Sequence, residues 1–239
     1  MKNYQLLIED LICGLSDGKL SISDSEKLIM SADIDNLDKR GLITLLLENT
    51  FISIEDTVAR LKALGSSNFK RVALFEKVSE EQYISDMLGH NLIDVEDKRA
   101  LEWYKDIELP RRGTKGSAGY DFICPVDISL APGEELVICS GVRCMMKENW
   151  VLKVYPRSSS GTKYRVQFNN TVPILDSDYY YTDNEGHIMF KVINDGREGK
   201  VFKLKKGEKL CQGIFVEYGI TFDDNVSTER TGGFGSTGK

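Results

Sequence analysis

The sequence is poor in the residues that most often run enzyme chemistry on their own. Two histidines, His90 and His187, stand far apart in 239 residues. A His/Cys zinc site has too few ligands, and a Ser-His-Asp or Cys-His enzyme has little to work with. The five cysteines, at 13, 124, 139, 144 and 211, are odd in number and include no C-x-x-C pair. They read as reduced, mostly buried thiols of an intracellular protein. No apolar run approaches membrane-spanning length. The opening MKNYQLLIEDLICGL carries acids inside its apolar stretch, which argues against a signal peptide. Basic excess is also missing: the net charge is −6 and the pI is near 5.2. General nucleic-acid binding needs a basic surface, so no stable nucleic-acid contact is expected. A small phosphorylated ligand stays open, because a few local donors suffice for it.

What is present is an ordinary globular composition, 41% hydrophobic and 28% charged, enough for one large domain or two small ones. The grammar changes along the chain. Residues 1–68 read as a small bundle of three or four helices. An amphipathic pattern starts at Tyr4, Leu6, Leu7 and Leu11. Ser23-Asp24-Ser25-Glu26 matches a capping box, Ser53 to Asp56 caps TVARLKALG, and Gly65 is placed as a helix stop. GSSN at 65–68 is a plausible linker. Residues 69–222 begin with a helix near 79–89. After Pro110 they turn into short strands: WVLKVYP (150–156), RVQF (165–168), IMFKVI (188–193) and KLCQGIFVEYGI (209–220). Many short strands with turns between them suggest a barrel or jelly roll. Residues 223–239 read as a flexible C-terminal arm.

Four stretches and the tail carry candidate chemistry. ILDSDYYYTDNEGHI (174–188) reads as a long hairpin with carboxylates at its entrance. Asp176 or Asp178 either caps the turn or orients a water and takes its proton. YPRSSSGTK (155–163) follows a strand; it is either a plain polar loop or a phosphate nest of guanidinium, hydroxyls and backbone N–H groups. Gln212 shares a face with Leu210, Ile214 and Val216 by the period of two. It is either a satisfied core amide or a side chain pointing into a site. Asp121, in SAGYDF after the basic run RRGTKG, either serves a site or pairs with Lys or Arg. The tail GGFGSTGK matches parts of the P-loop and of G-x-G-x-x-G. Both motifs need a helix after the glycines and none follows in this sequence, so both standard readings are expected to fail.

The order of these stretches is more specific than any one of them. SAGYDF, PRSSSG, ILDSDY, GEKLCQGIF and the terminal GGFGSTG resemble the five motifs of the trimeric dUTPase (dUTP diphosphatase) family, across residues 71–239. The YYYTDNEGHI segment and FEKVSEEQY look like the subgroup of Gram-positive bacteria and their phages. The resemblance implies a mainly β fold, a jelly-roll barrel forming a homotrimer with sites between subunits, preceded here by the helical region. It implies hydrolysis of dUTP to dUMP and pyrophosphate, with Mg²⁺, in the cytoplasm of a bacterial cell or phage-infected host.

Carried over by position, Asp176 matches the general base. Tyr179 matches the aromatic on the deoxyribose, and Asn170 the uracil-reading edge. Arg157, Ser158, Ser159 and Gly161 match the phosphate-binding second motif, and Gln212 the phosphate-binding glutamine. Asp121 matches the aspartate that orders the metal's water shell, the metal itself being held by triphosphate and water. Phe234 is expected over uracil, and Arg230, Ser236 and Thr237 on the γ-phosphate. Ser160, Thr162 and Pro173 depart from the family pattern, which bears on uracil affinity. Residues 1–68 have no counterpart in the minimal family domain and are candidates for a protein partner. Two alternatives accompany the dUTPase reading: a nucleotide-gated regulatory protein and a dCTP-deaminase-like relative.

Overall fold

The computed structural model describes residues 2–47, 53–65, 70–93, 99–228, 230 and 232. The chain divides into two compact units, residues 1–74 and 75–239.

The first unit is a helical bundle: α1 (Lys2–Ser16), α2 (Ile22–Ser31), α3 (Asn36–Leu47) and α4 (Ile54–Gly65). Its core is closed by Leu7, Ile8, Leu11, Leu15, Ile29, Leu42, Leu46, Val58 and Leu61. These recur at helical spacing, so each helix buries one stripe. The capping box of α2 is formed by Ser21 and Asp24, two residues ahead of the expected Ser23. Ser21 can adopt the extended N-cap conformation because α2 already begins at Ile22. Ser53 caps α4 as expected, its Oγ accepting the Asp56 N–H at 3.2 Å.

The second unit is mainly β. Its elements are β1 (Ala73–Lys77), α5 (Glu80–Gly89), α6 (Arg99–Lys105), β2 (Arg111–Arg112), β3 (Tyr120–Ile123), β4 (Ile128–Leu130), β5 (Glu135–Cys139) and β6 (Val142–Met146). Then follow β7 (Trp150–Pro156), α7 (Ser158–Tyr164), β8 (Val166–Phe168), β9 (Ile174–Leu175), a 3-10 turn over Ser177–Tyr181, β10 (Met189–Asn194), β11 (Phe202–Leu204) and β12 (Lys209–Glu217). Among the described residues they form sheets of order β1-β6, β5-β10-β8, β11-β4 and β2-β3-β12-β7-β9. Non-sequential neighbours such as β3-β12-β7 belong to a layered all-β domain rather than a meander. Between the layers lie Phe75, Phe122, Phe168 and Phe190, with ring centroids 5.2–5.7 Å apart. Four of the five cysteines are buried and all are free. Burial pushes the Cys124 and Cys139 thiols up to about 12, so they are inert at neutral pH.

Three expectations differ from the structure. ILDSDYYYTDNEGHI is not a β-hairpin, because β9 pairs with β7 while β10 pairs with β5 and β8. The apolar ends are right, but their partners lie elsewhere, and the connection is a 3-10 turn. The serine loop after β7 is a short helix, α7, with Arg157 as its N-cap residue. Strand β12 ends at Glu217 rather than Ile220.

Candidate active site

The five-stranded sheet builds a first cluster at one end of β7. In β12, Gln212 lies opposite Asp121 of β3 and Tyr155 of β7. One residue past β7, Arg157 reaches back and donates from Nη1 to Asp121 Oδ1 at 2.8 Å. Lys209 Nζ approaches Asp121 Oδ2 at 2.7 Å. Asp121 is thus ion-paired, as one of its two readings expects. Two cations on one carboxylate leave a net positive charge suited to a polyanion. Gly119 leaves room for Gln212: a Cβ at 119 would stand 2.7 Å from Gln212 Oε1, so a larger residue there would push the amide aside. Ser158 and Ser159 are exposed on the first turn of α7, with Gly161 partly exposed behind them. Ser160 is buried beside Val166, Phe168 and Leu210. Thr162 is exposed.

A second cluster lies in the connection after β9. Asp176 N-caps the 3-10 turn without a side-chain cap bond, so its carboxylate is left for other work. Arg230 Nη2 donates to Asp176 Oδ2 at 2.9 Å, its Nε stands 3.3 Å from Asp178 Oδ1, and its guanidinium lies 5.7 Å from the Tyr179 ring centre. Burial and the Asp178 charge push the Asp176 carboxyl above its ordinary range, with Arg230 pulling against them. That is the direction a general base needs if it is to take a proton near neutral pH. Tyr179 is buried, and its phenol donates to the His187 carbonyl at 2.9 Å. Arg230 lies on these carboxylates rather than beside the α7 turn.

Asn170 is exposed at the tip of the turn after β8, and its carbonyl accepts the Val172 N–H at 2.7 Å. Pro173 is buried and contributes an acceptor, its carbonyl taking the Val154 N–H. Phe234, Ser236 and Thr237 lie outside the described residues.

Register sets the distance between the clusters. Leu175 lies opposite Leu152 in the antiparallel β9–β7 pair, which carries Asp176 on toward Val151 and away from Arg157. From Val151 to Arg157 an extended chain covers about 20 Å. No hydrogen bond or ion pair among the described residues joins the two clusters within one chain.

Sequence reasoning missed the residues behind Tyr179: Asp86, Arg143, Glu185 and His187. Arg143 lies 4.6 Å from the Tyr180 ring centre and 3.5 and 3.7 Å from Glu76 and Glu185. The available signal was His187 itself, a lone polar ring directly before the apolar run IMFKVI.

As to metals, no group of three His, Cys, Asp or Glu among the described residues could hold an ion. The cationic donors of the first cluster fit the phosphates of a triphosphate that carries its own metal. Asp121 keeps unused lone pairs beyond its two ion pairs and fits as an acceptor for metal-bound water. No helix among the described residues is long and apolar enough to cross a membrane.

Comparison with known proteins gives these clusters a context. The dUTPase family model matches residues 105–238. The deoxyuridine 5'-triphosphate nucleotidohydrolase of Lactococcus lactis is 41% identical over 135 residues, covering 55% of this chain and 89% of the relative. That of Serratia proteamaculans is 34% identical over 143 residues, covering 56% and 90%. A crystal structure of dUTPase from Streptococcus mutans aligns with a TM-score of 0.45 at 26% identity, over 62% of this chain and 97% of that one. The family match spans more than half of the sequence and both clusters, and the chain belongs to the dUTPase family.

Proposed function

We propose that the protein hydrolyses dUTP, presented as its Mg²⁺ complex, to dUMP and pyrophosphate in a site completed by a second copy of the chain. The dUTPase match over residues 105–238 carries the overall reaction. Arg157, Gln212, the exposed Ser158 and Ser159 and the backbone at Gly161 would bind the phosphates, with charge-assisted donors strongest where charge builds up in the transition state. Bound on the triphosphate, Mg²⁺ supplies further neutralisation of that charge. Asp121 fixes Arg157 and would accept from the metal's water shell. Asp176 takes the proton of the attacking water, and Tyr179 packs on the deoxyribose. Asn170 would read the uracil edge. In the arm, Phe234 would cover the base, and Arg230, Ser236 and Thr237 would reach the γ-phosphate; for Arg230 this requires leaving Asp176.

Along β7 the backbone beside Asp176 and the phosphate cluster, which spans Tyr155 to Arg157, lie about 13–20 Å apart, too far for one chain to serve one phosphorus atom. Reacting groups must approach to about 3–3.5 Å. A homotrimer resolves this by joining one subunit's Asp176 to another's Arg157. Exposed apolar groups support that reading: Ile174 and Tyr181 flank Asp176 in the chain, and Tyr218, Ile220 and Phe222 are exposed at every second position beyond β12. Such apolar groups are normally covered by a partner. Residues 1–68 lie outside the family match and are proposed as a separate protein-binding module.

Pyrophosphate release from dUTP, UTP, dCTP and dTTP with Mg²⁺ tests the reading. Release from dUTP alone is expected, with Asp176→Asn binding nucleotide but not turning it over. Release by the Asn variant at the wild-type rate would remove Asp176 as base. Equal release from UTP would remove the sugar selection.

A further inference from the structure

Helix α5 holds the 176–188 connection at two points. At its N-terminus, Ser79 gives its backbone N–H and its Oγ to the two oxygens of Glu185, at 2.8 and 2.6 Å. Glu185 has a φ of 56°, a left-handed conformation that a non-glycine residue keeps only where its surroundings enforce it. Seven residues along α5, about 10 Å at the helical rise, Asp86 Oδ2 lies 2.6 Å from His187 Nδ1 and accepts the Gln82 amide at 2.9 Å. The His187 ring is fully buried, and its Nε2 accepts the Gly141 N–H at 2.8 Å. An Nε2 that accepts must be unprotonated, so the proton sits on Nδ1 and is donated to Asp86. Burial works against the Asp86 charge, but the hydrogen bonds from His187 and Gln82 outweigh it and hold its carboxyl below the ordinary range.

The ring is therefore fixed from both nitrogens, and with it the backbone carbonyl of His187. That carbonyl accepts the Tyr179 phenol at 2.9 Å. Asn184 Nδ2 adds a longer contact to the Tyr179 phenol oxygen at 3.4 Å. Thr182 holds the start of the connection, its Oγ1 donating to the Tyr179 carbonyl at 2.8 Å. A chain of hydrogen bonds thus runs from α5 through His187 to Tyr179, in surroundings of low dielectric where such bonds are strong.

We propose that Asp86 and His187 are positioning residues for sugar selection. Asp86 on α5 fixes His187, and the His187 carbonyl fixes the Tyr179 ring that must leave no room for a ribose 2′-hydroxyl. This rests on the assignment of Tyr179 to the sugar in the proposed dUTPase reaction. Neither residue touches the nucleotide. They act by holding a ring face in place, and a displacement of about 1 Å at such a group can cost up to about 100-fold.

The quantity to measure is the ratio of kcat/KM for dUTP to that for UTP, with Tm alongside, in the full chain. Asp86→Ala is expected to lower the ratio by about 10- to 100-fold. Asp86→Asn restores most of it, because the amide oxygen still accepts from Nδ1–H. Tyr179→Phe, which keeps the ring and loses the phenol, lowers the ratio comparably, and adding Asp86→Ala to it lowers the ratio little further. A reduced Tm with an unchanged ratio in Asp86→Ala would mean a purely structural role and overturn the inference. So would additive losses in the double variant. If Asp86→Ala is too unstable to assay, Tyr179→Phe decides alone, since an unchanged ratio there breaks the link between His187 and the sugar. A wild-type protein that accepts UTP as readily as dUTP would instead refute the underlying assignment, before any variant is compared.

Discussion

Asp176 carries two opposed demands. As the proposed base it must be ionised to take a proton, and burial together with Asp178 disfavours that ionisation, while Arg230 favours it. The folded protein therefore holds its proton to a higher pH than an ordinary carboxylate does. Between the ordinary and the raised pKa, the native state binds more protons than the unfolded one, so this group's contribution to stability falls as pH rises. Above that window the buried charge is a standing cost. Asp176→Asn is accordingly expected to abolish turnover while leaving Tm at neutral pH unchanged or higher. Asp178→Asn removes a repelling charge and should move the acid limb of the kcat/KM profile to lower pH; Arg230→Gln should move it to higher pH. A thermal melt and a pH–rate profile check these, and a limb that moved up in Asp178→Asn or down in Arg230→Gln would show that the three groups are not coupled as the geometry has them. At this scale candidates were legible. Asp176, Arg157 and Gln212 stand out because each is a polar group where an apolar strand gives way to a turn, or interrupts an apolar row, while Tyr179 enters through the order of the motifs. The Arg230–Asp176 contact was not legible, since nothing in local spacing tells a residue near the end of the arm which of many carboxylates it will meet.

The elements show why periodicity stops where it does. The β-rich pattern marks one strand ending at Leu175 and another over 188–193, and the structure has Ile174–Leu175 and Met189–Asn194, but the pattern specifies faces and not partners. Two strands joined by a turn-rich segment read as a hairpin, whereas β7 and β5 are their real neighbours. Likewise, three serines and a glycine read as a loop by propensity, yet Ser158–Tyr164 coils into a helical turn. Burial of Ser160, which lines a small cavity together with Val166 and Phe168, is decided by tertiary structure. The connection 176–188 is held by one glycine in particular. Gly186 has a φ of 68°, and a Cβ there would stand 2.6 Å from Tyr180 Cα and 2.8 Å from the Tyr179 carbonyl oxygen. Backbone cannot step aside as a flexible side chain can. Gly186→Ala is expected to destabilise by about 3 kcal/mol in urea unfolding. It should also reduce dUTP turnover more than a distant destabilising substitution of equal size. A loss within about 0.5 kcal/mol, the range of a neutral surface change, would show that the connection repacks freely.

At the scale of the whole molecule, sequence and structure each supply one half of an argument. Motif order nominates the residues, and strand register sets the proposed base and the phosphate cluster apart along β7 within one chain. The β9–β7 pairing sends Asp176 toward one end of β7 while Arg157 leaves from the other. Both clusters are otherwise well formed: Asp121 holds Arg157 at 2.8 Å, and Tyr179 is locked behind Asp176. In the proposed trimer each half would be completed by the complement that another copy carries. This makes the assembly testable without a structure of it. Asp176→Asn chains keep a complete phosphate cluster, and Arg157→Ala chains keep a complete base cluster. Each variant alone is expected to be inactive. If they are mixed under conditions that exchange subunits, about a quarter of the sites in random trimers should pair an intact Arg157 with an intact Asp176. Activity should rise from near zero toward that fraction, with exchange as the slow step. If the site lay within one chain, every site in the mixture would still lack one group, and no activity would return however long the subunits exchanged.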